Sequence, residues 1–203
     1  DSRKENMRFT SKLMASGIAL MLTLTVASPV HAADQAAALK AGNFVASQIS
    51  DGATGEVGAT VDSILALYAT GDNDLAAKTD PLVETVRSQT AKYLESGPEA
   101  AAKLSIMASS MGEDPRTFAG TDLVAKVTEA VGTDGSFGAF PGPFASSLGI
   151  VALSRANVAI PEQMVSYLIS GANEDGGYGY AADQPSDADN TGMALLALAT
   201  APA

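Results

Sequence analysis

The sequence predicts an all-α protein built as an array of about four helix hairpins, and three observations carry that prediction. The first is a repeated loop: Asp175-Gly176-Gly177-Tyr178-Gly179 follows Asp134-Gly135-Ser136-Phe137-Gly138 by 41 residues. Self-similarity at such a period marks a repeat architecture in which each unit is one supersecondary element. The second is a small-residue helical pattern that travels with the loops. It ends at Gly71 and again, 41 residues on, at Gly112, and its later copies at Ala152-Leu153 and Ala197-Leu198 lie 45 residues apart. The third is that apolar residues between the loops recur at helical spacing rather than in alternation.

The chain opens on a different kind of segment. Met7, Arg8 and Lys12 form a positive start, residues 13–27 an apolar run, and Val30-His31-Ala32 supplies small residues where a signal peptidase cuts. Residues 7–32 therefore read as a secretory signal cleaved after Ala32 or Ala33, and residues 1–6 as sequence upstream of the natural start. A bilayer-spanning helix needs about 20 apolar residues, so no membrane span is expected after cleavage. The protein is expected to be secreted, either extracellular or in the cell envelope.

The repeat domain, residues 33–203, divides into units of about 35–75, 76–117, 118–159 and 160–203. In the first, a helix over 36–49 carries Leu39, Phe44, Val45 and Ile49, and one over 59–70 carries Val61, Ile64, Leu65 and Tyr68. Asp51-Gly52 opens a degenerate copy of the loop between them. In the second, Asp80 caps a helix begun by Pro81 and carrying Leu82, Val86, Tyr93 and Leu94. The loop shrinks to Ser96-Gly97-Pro98, and a helix over 98–111 ends at Gly112. The third unit has helices over 122–131 and 146–155 on either side of the Asp134 loop. In the fourth, Pro161 opens 162–169, and Asn190 or Asp189 opens 191–199.

Helices that follow the loops are rich in Ala, Gly and Ser, as in Gly192-Met193-Ala194-Leu195-Leu196-Ala197-Leu198-Ala199. Being apolar nearly all round, they belong in an inner layer with neighbours on both sides. The more amphipathic helices bearing Lys40, Lys92, Lys126 and Glu162 form the outer layer. Within the loops the glycines permit positive φ, Asp175 caps turn N–H groups, and Tyr178 and Tyr180 cover the joint between hairpins.

Composition excludes several functions. Removal of residues 1–32 takes four of the 12 basic and two of the 23 acidic residues, moving the net charge from −11 to −13. An acidic surface of this kind opposes nucleic acid and anionic membranes. The same cut removes His31, the one histidine, and the chain has neither Cys nor Trp. Disulfides, thiolate nucleophiles, Ser-His-Asp chemistry and an ordinary zinc site are thereby excluded. Calcium has only Asp183, Asp187 and Asp189 to consider, at a spacing unlike an EF-hand, and Asp72-Asn73-Asp74 reads as a turn. No cofactor and no metal is expected.

In its Asp-Gly-Gly-aromatic-Gly loop, Asp175-Gly176-Gly177-Tyr178-Gly179, with the weaker copy Asp134-Gly135-Ser136-Phe137-Gly138, the chain resembles the terpenoid cyclase and protein prenyltransferase superfamily. The resemblance covers about residues 35–203. It implies an α/α-toroid-like array with parallel inner helices, here an open arc rather than a closed ring, whose free edges invite self-association. It also implies a possible acid: Asp187-Ala188-Asp189-Asn190 is similar to the Asp-x-Asp-Asp motif of class II terpene cyclases, with Asp189 as general acid, Asp187 as its neighbour, and Asn190 in place of a carboxylate. Capping of the next helix is the competing use of these residues. The leading expectation is a secreted non-catalytic binding or cell-envelope interaction module taking a small hydrophobic ligand or a protein partner. A squalene-hopene-type cyclase is the alternative, and a carrier of corrinoid or another small ligand the further one.

Overall fold

The computed structural model describes residues 30–49, 55–181 and 184–201, and over these it is all-α, with no strand among them. Contacts divide the chain into two units, Asp1–Ala37 and Ala38–Ala203. Of the first, only the beginning of helix α1 (Val30–Ser47) is described, so residues 7–29 of the leader read over 7–32 and the degenerate loop at Asp51-Gly52 lie outside the described residues, while Val30-His31-Ala32 begins α1.

In the second unit the chain runs α2 (Val57–Ala69), α3 (Asn73–Ala77), α4 (Asp80–Tyr93), α5 (Pro98–Ser110), α6 (Leu123–Glu129), α7 (Pro143–Arg155), α8 (Glu162–Ser170) and α9 (Ala188–Thr200). Four of these, α2, α5, α7 and α9, are each 13 residues long. They begin at 57, 98, 143 and 188, so they repeat at the 41- and 45-residue intervals of the sequence. They pack in chain order, α2 on α5, α5 on α7 and α7 on α9. A second layer lies against them, α4 on α2, α6 on both α5 and α7, and α8 on α7.

Equivalent positions of neighbouring inner helices touch. Lys103 Nζ on α5 reaches Asp62 Oδ2 on α2 at 2.7 Å, and Arg155 Nη1 on α7 donates to Ser110 Oγ on α5 at 3.4 Å. The first pair joins the second turns and the other the last turns. Ala139, four residues before α7, also donates to Glu99 Oε1 in the first turn of α5, so α5 and α7 are joined at both ends and run parallel.

Burial follows position in the stack. In α7, between two inner neighbours, every residue from Ala145 to Leu153 is buried. Small side chains are what allow this, since Ala, Ser and Gly let backbones approach on opposite sides at once. Among the described residues, helix α9 packs on one inner helix, α7. Leu195, in register with the fully buried Ile150 and Ile64, is 61 % exposed there. Across the layers, Arg87 of α4 pairs with Glu113 and lies 4.6 Å from the centre of the Phe118 ring, tying the α5–α6 connection to α4.

Several expected features differ. Phe44, placed on the buried face of the first helix, is 66 % exposed. Helix α1 docks instead through the buried Gly42, where an added Cβ would stand 2.6 Å from Thr70 Cγ2 and 2.8 Å from Leu75 Cδ1. Residues two apart point to opposite sides of a helix, so Phe44 faces away. Asp72-Asn73-Asp74, read as a turn, starts the short helix α3, whose Leu75 N–H donates to Asp72 Oδ1 at 2.9 Å. Helix α7 begins one turn before the predicted residue 146, at Pro143, a residue preorganised for a first helical position. Helix α6 stops at Glu129 rather than 131, because Val131 forms a β-bridge with Phe137 across the loop.

Candidate functional site: a groove along the inner helices

The two Gly-rich loops close with the same hydrogen bonds. In the first, Gly132 N–H donates to Ser136 O at 2.8 Å and Gly135 N–H to Gly132 O at 2.9 Å; in the second, Asn173 N–H donates to Gly177 O at 2.8 Å and Gly176 N–H to Asn173 O at 2.8 Å. Each aspartate accepts from the amide two residues on, Ser136 onto Asp134 at 3.0 Å and Gly177 onto Asp175 at 2.9 Å. Gly135 and Gly176 sit at φ of 86° and 81°, where a Cβ is disfavoured. Phe137 and Tyr178 then turn inward, 1 % and 5 % exposed. Gly138 also has positive φ, whereas Gly179 does not and serves by close approach, an added Cβ there lying 2.5 Å from Gln184 O.

The loops are fastened to the inner helices that follow. Tyr178 N–H donates to Thr191 Oγ1 at 2.9 Å, and Asp187 N–H to Tyr178 O at 3.1 Å. Ser186 Oγ donates to Asp175 at 2.7 Å. In the third unit, Ala139 N–H donates to Glu99 Oε1 at 2.9 Å, joining that loop to α5 of the unit before.

Asp187 is the N-cap of α9. Its Oδ1 accepts from Asn190 N–H at 2.8 Å and its Oδ2 from Asn190 Nδ2 at 2.6 Å. These two bonds, led by the backbone one, hold its carboxyl below the ordinary Asp range. Stored acidity requires the opposite shift. Asp189 is exposed in the first turn of α9 and is not among the residues lining the groove described below. The cap was expected two or three residues later, at Asp189 or Asn190; Asn190 is buried and spends its side chain on Asp187 instead. Asp183 lies outside the described residues, and no group of three or more His, Cys, Asp or Glu capable of holding a metal occurs among those described.

Hydrogen bonds lower the pKa of Asp134 and Asp175 as well, chiefly through the Ser136 and Ser186 hydroxyls. A carboxylate with a lowered folded-state pKa stabilises the fold above its unfolded value, about 3.9, and that contribution is lost as pH falls through the folded value. The thermal midpoint should therefore decline below about pH 4, and more shallowly when Asp134, Asp175 and Asp187 are all replaced by Asn. An acid limb unchanged in the triple variant, followed by circular dichroism, would contradict the loop account.

Along the inner helices runs a groove of about 860 Å³. Its wall follows one face of each helix: Asp62, Leu65 and Ala69 of α2; Glu99, Lys103, Ile106 and Ser110 of α5; Phe144, Leu148, Val151 and Arg155 of α7; Met193 and Leu196 of α9. Steps of three and four residues keep these on one side of a helix, and the same register positions recur from helix to helix. Tyr93, Phe140 and Tyr180 close the end at the helix N-termini. Tyr180 stacks on Phe144 with centroids 5.6 Å apart and is 58 % exposed, so it faces the groove rather than covering a joint between hairpins. Burial, reinforced by the charge of Asp62, raises the pKa of Tyr93 and keeps it a neutral phenol. Asp62 and Lys103 neutralise each other.

No family model, curated protein or solved structure matches the chain. The groove therefore has to be read from its own residues.

This groove was not identified from the sequence beyond the expectation that a ligand would lie along the inner helices. A signal was present: aligning 62, 103, 148 and 193 by the repeat interval, then stepping along each helix, selects most of its lining. Which face of an all-round apolar helix remains open is decided by packing, so hydropathy alone did not mark it.

Proposed function

We propose that the protein is a non-catalytic binding module, exported by the leader read over residues 7–32, whose ligand is a small hydrophobic molecule held along the inner helices. The observation that carries this reading is the groove: a largely apolar channel formed by equivalent positions of four successive helices, with a few polar groups set into it. Pockets of this size and character are what small-molecule sites look like. The lowered pKa of Asp187 and the exposed position of Asp189 favour capping over acid catalysis. The repeated Gly-rich loops and the row of inner helices support an α/α-toroid-like reading, in which a ligand would lie along the inner layer.

Nile red, a neutral apolar dye, tests the reading. Binding with enhanced fluorescence at a single class of site is expected. Leu196→Arg, which puts a charge into the groove, should weaken it by at least about tenfold. Leu195→Arg, on the neighbouring exposed residue outside the groove, should leave it within about twofold. Equal effects of the two variants would contradict the groove as the site.

A further inference from the structure

We propose that the N-terminal end of the groove receives an organic ammonium group, with the ligand's apolar body lying along the inner helices toward Arg155; this deepens the binding reading and rests on it. Four aromatic side chains line that end, Tyr93, Phe140, Phe144 and Tyr180, in a chain with only six Phe and five Tyr. Phe140 is 79 % exposed, and Tyr180 also stands largely in solvent, while its stacking on Phe144 fixes part of the wall. Aromatic faces carry the negative side of a quadrupole and attract cations, and several converging on one point form a cage for alkylated ammonium.

Glu99 supplies the counter-charge. Its Oε1 is fixed by Ala139 N–H, while its Oε2 is buried without a hydrogen-bond partner. Asp62 and Lys103 cancel in their own ion pair, so Glu99 leaves this end negative. A half-satisfied carboxylate beside apolar rings gains more from a cation than one in water does. Its place in the first turn of α5 offsets the positive helix ends that would oppose a cation. The net charge of −11 also draws cations toward the molecule. Ring faces rather than multiple oxygens select a large, weakly hydrated ammonium over a small inorganic ion. Arg155 stands 11 residues beyond Phe144 on α7, about 16 Å along the axis at 1.5 Å per residue, far enough to leave the negative end its own character.

Calorimetric titration of the full chain with decyltrimethylammonium, decanol and decanoate, each below its micelle concentration, tests the assignment. The ammonium should bind at least about tenfold more tightly than decanol, with decanoate weakest. Glu99→Gln keeps an oxygen to accept from Ala139, and Tyr180→Leu alters an exposed ring. Each should cut the ammonium preference over decanol to about threefold or less. Equal affinities for the three probes, with decanol still weakened by Leu196→Arg, would overturn the head-group assignment and leave the groove standing. Tightest binding of decanoate, lost in Arg155→Gln, would overturn it in favour of an anion at the opposite end. Absence of binding by all three would remove both the assignment and the groove.

Discussion

Gly135→Ala is expected to destabilise the protein by about 3–5 kcal/mol, combining the left-handed backbone penalty with a steric overlap the structure cannot relieve cheaply. Gly135 has φ of 86°, and an added Cβ would lie 2.0 Å from Gln163 O and 2.8 Å from Met164 N. Those are backbone atoms of α8, so relief requires the third loop to move away from the fourth unit. Gly176, its equivalent 41 residues on, has φ of 81° and nothing within 4 Å of the same position. Gly176→Ala should therefore cost only about 1–2 kcal/mol, the conformational penalty alone. Set against a typical domain stability of about 5–15 kcal/mol, the first change leaves a substantial unfolded fraction and the second does not. Urea midpoints measure both. Equal losses would show that the Gly135 loop is not wedged against the next hairpin.

Phe137→Ala should cost about 3–5 kcal/mol, the range for removing a buried aromatic and leaving a cavity. Phe137 is 1 % exposed, and its ring packs over Gly149 in the middle of α7, where an added Cβ would stand 3.0 Å from Phe137 Cδ1. The side chain thus fills the joint between the loop and the inner layer. Phe140, three residues later and largely exposed, should change stability by no more than about 0.5 kcal/mol when replaced by Ala. Its loss should be felt in ligand binding instead. Thermal melts of the two variants separate the roles: a comparable drop in both would contradict the division of this loop into one aromatic for packing and one for the groove.

The architecture was legible because its two signals are local. Positive φ at Gly135 and Gly176 and the Asx turns at Asp134 and Asp175 follow from residue type within five positions. The identity of the inner layer follows from the small side chains of α5 and α7. Tertiary choices were less accessible. Phe44 belongs to an apolar stripe by spacing, yet α1 docks through Gly42, because the closest backbone approach determines the contact face. Asp187 outcompetes Asp189 and Asn190 as the cap of α9, since the backbone bends at residue 187 and Asn190 turns back onto it. Tyr180 looked equivalent to Tyr178 as a joint cover. Only the fold separates them, turning Tyr178 into the core and leaving Tyr180 against Phe144 at the groove. For the same reason Glu99, unremarkable on a helix N-terminus, becomes legible as a site residue only when the next unit's loop closes over it.

Parallel inner helices in register underlie both the packing and the groove, and a crosslinking measurement tests that most directly. The chain has no cysteine, so pairs can be introduced without background. A bismaleimide of about 8–10 Å reach, matched to the distance between packed helices, should join the Ser110→Cys/Arg155→Cys pair efficiently. It should fail with Ser110→Cys/Phe144→Cys, where the second site lies about 16 Å further along the helix. Crosslinking of the second pair in place of the first would mean that neighbouring inner helices run antiparallel, and the groove built from equivalent positions would not exist.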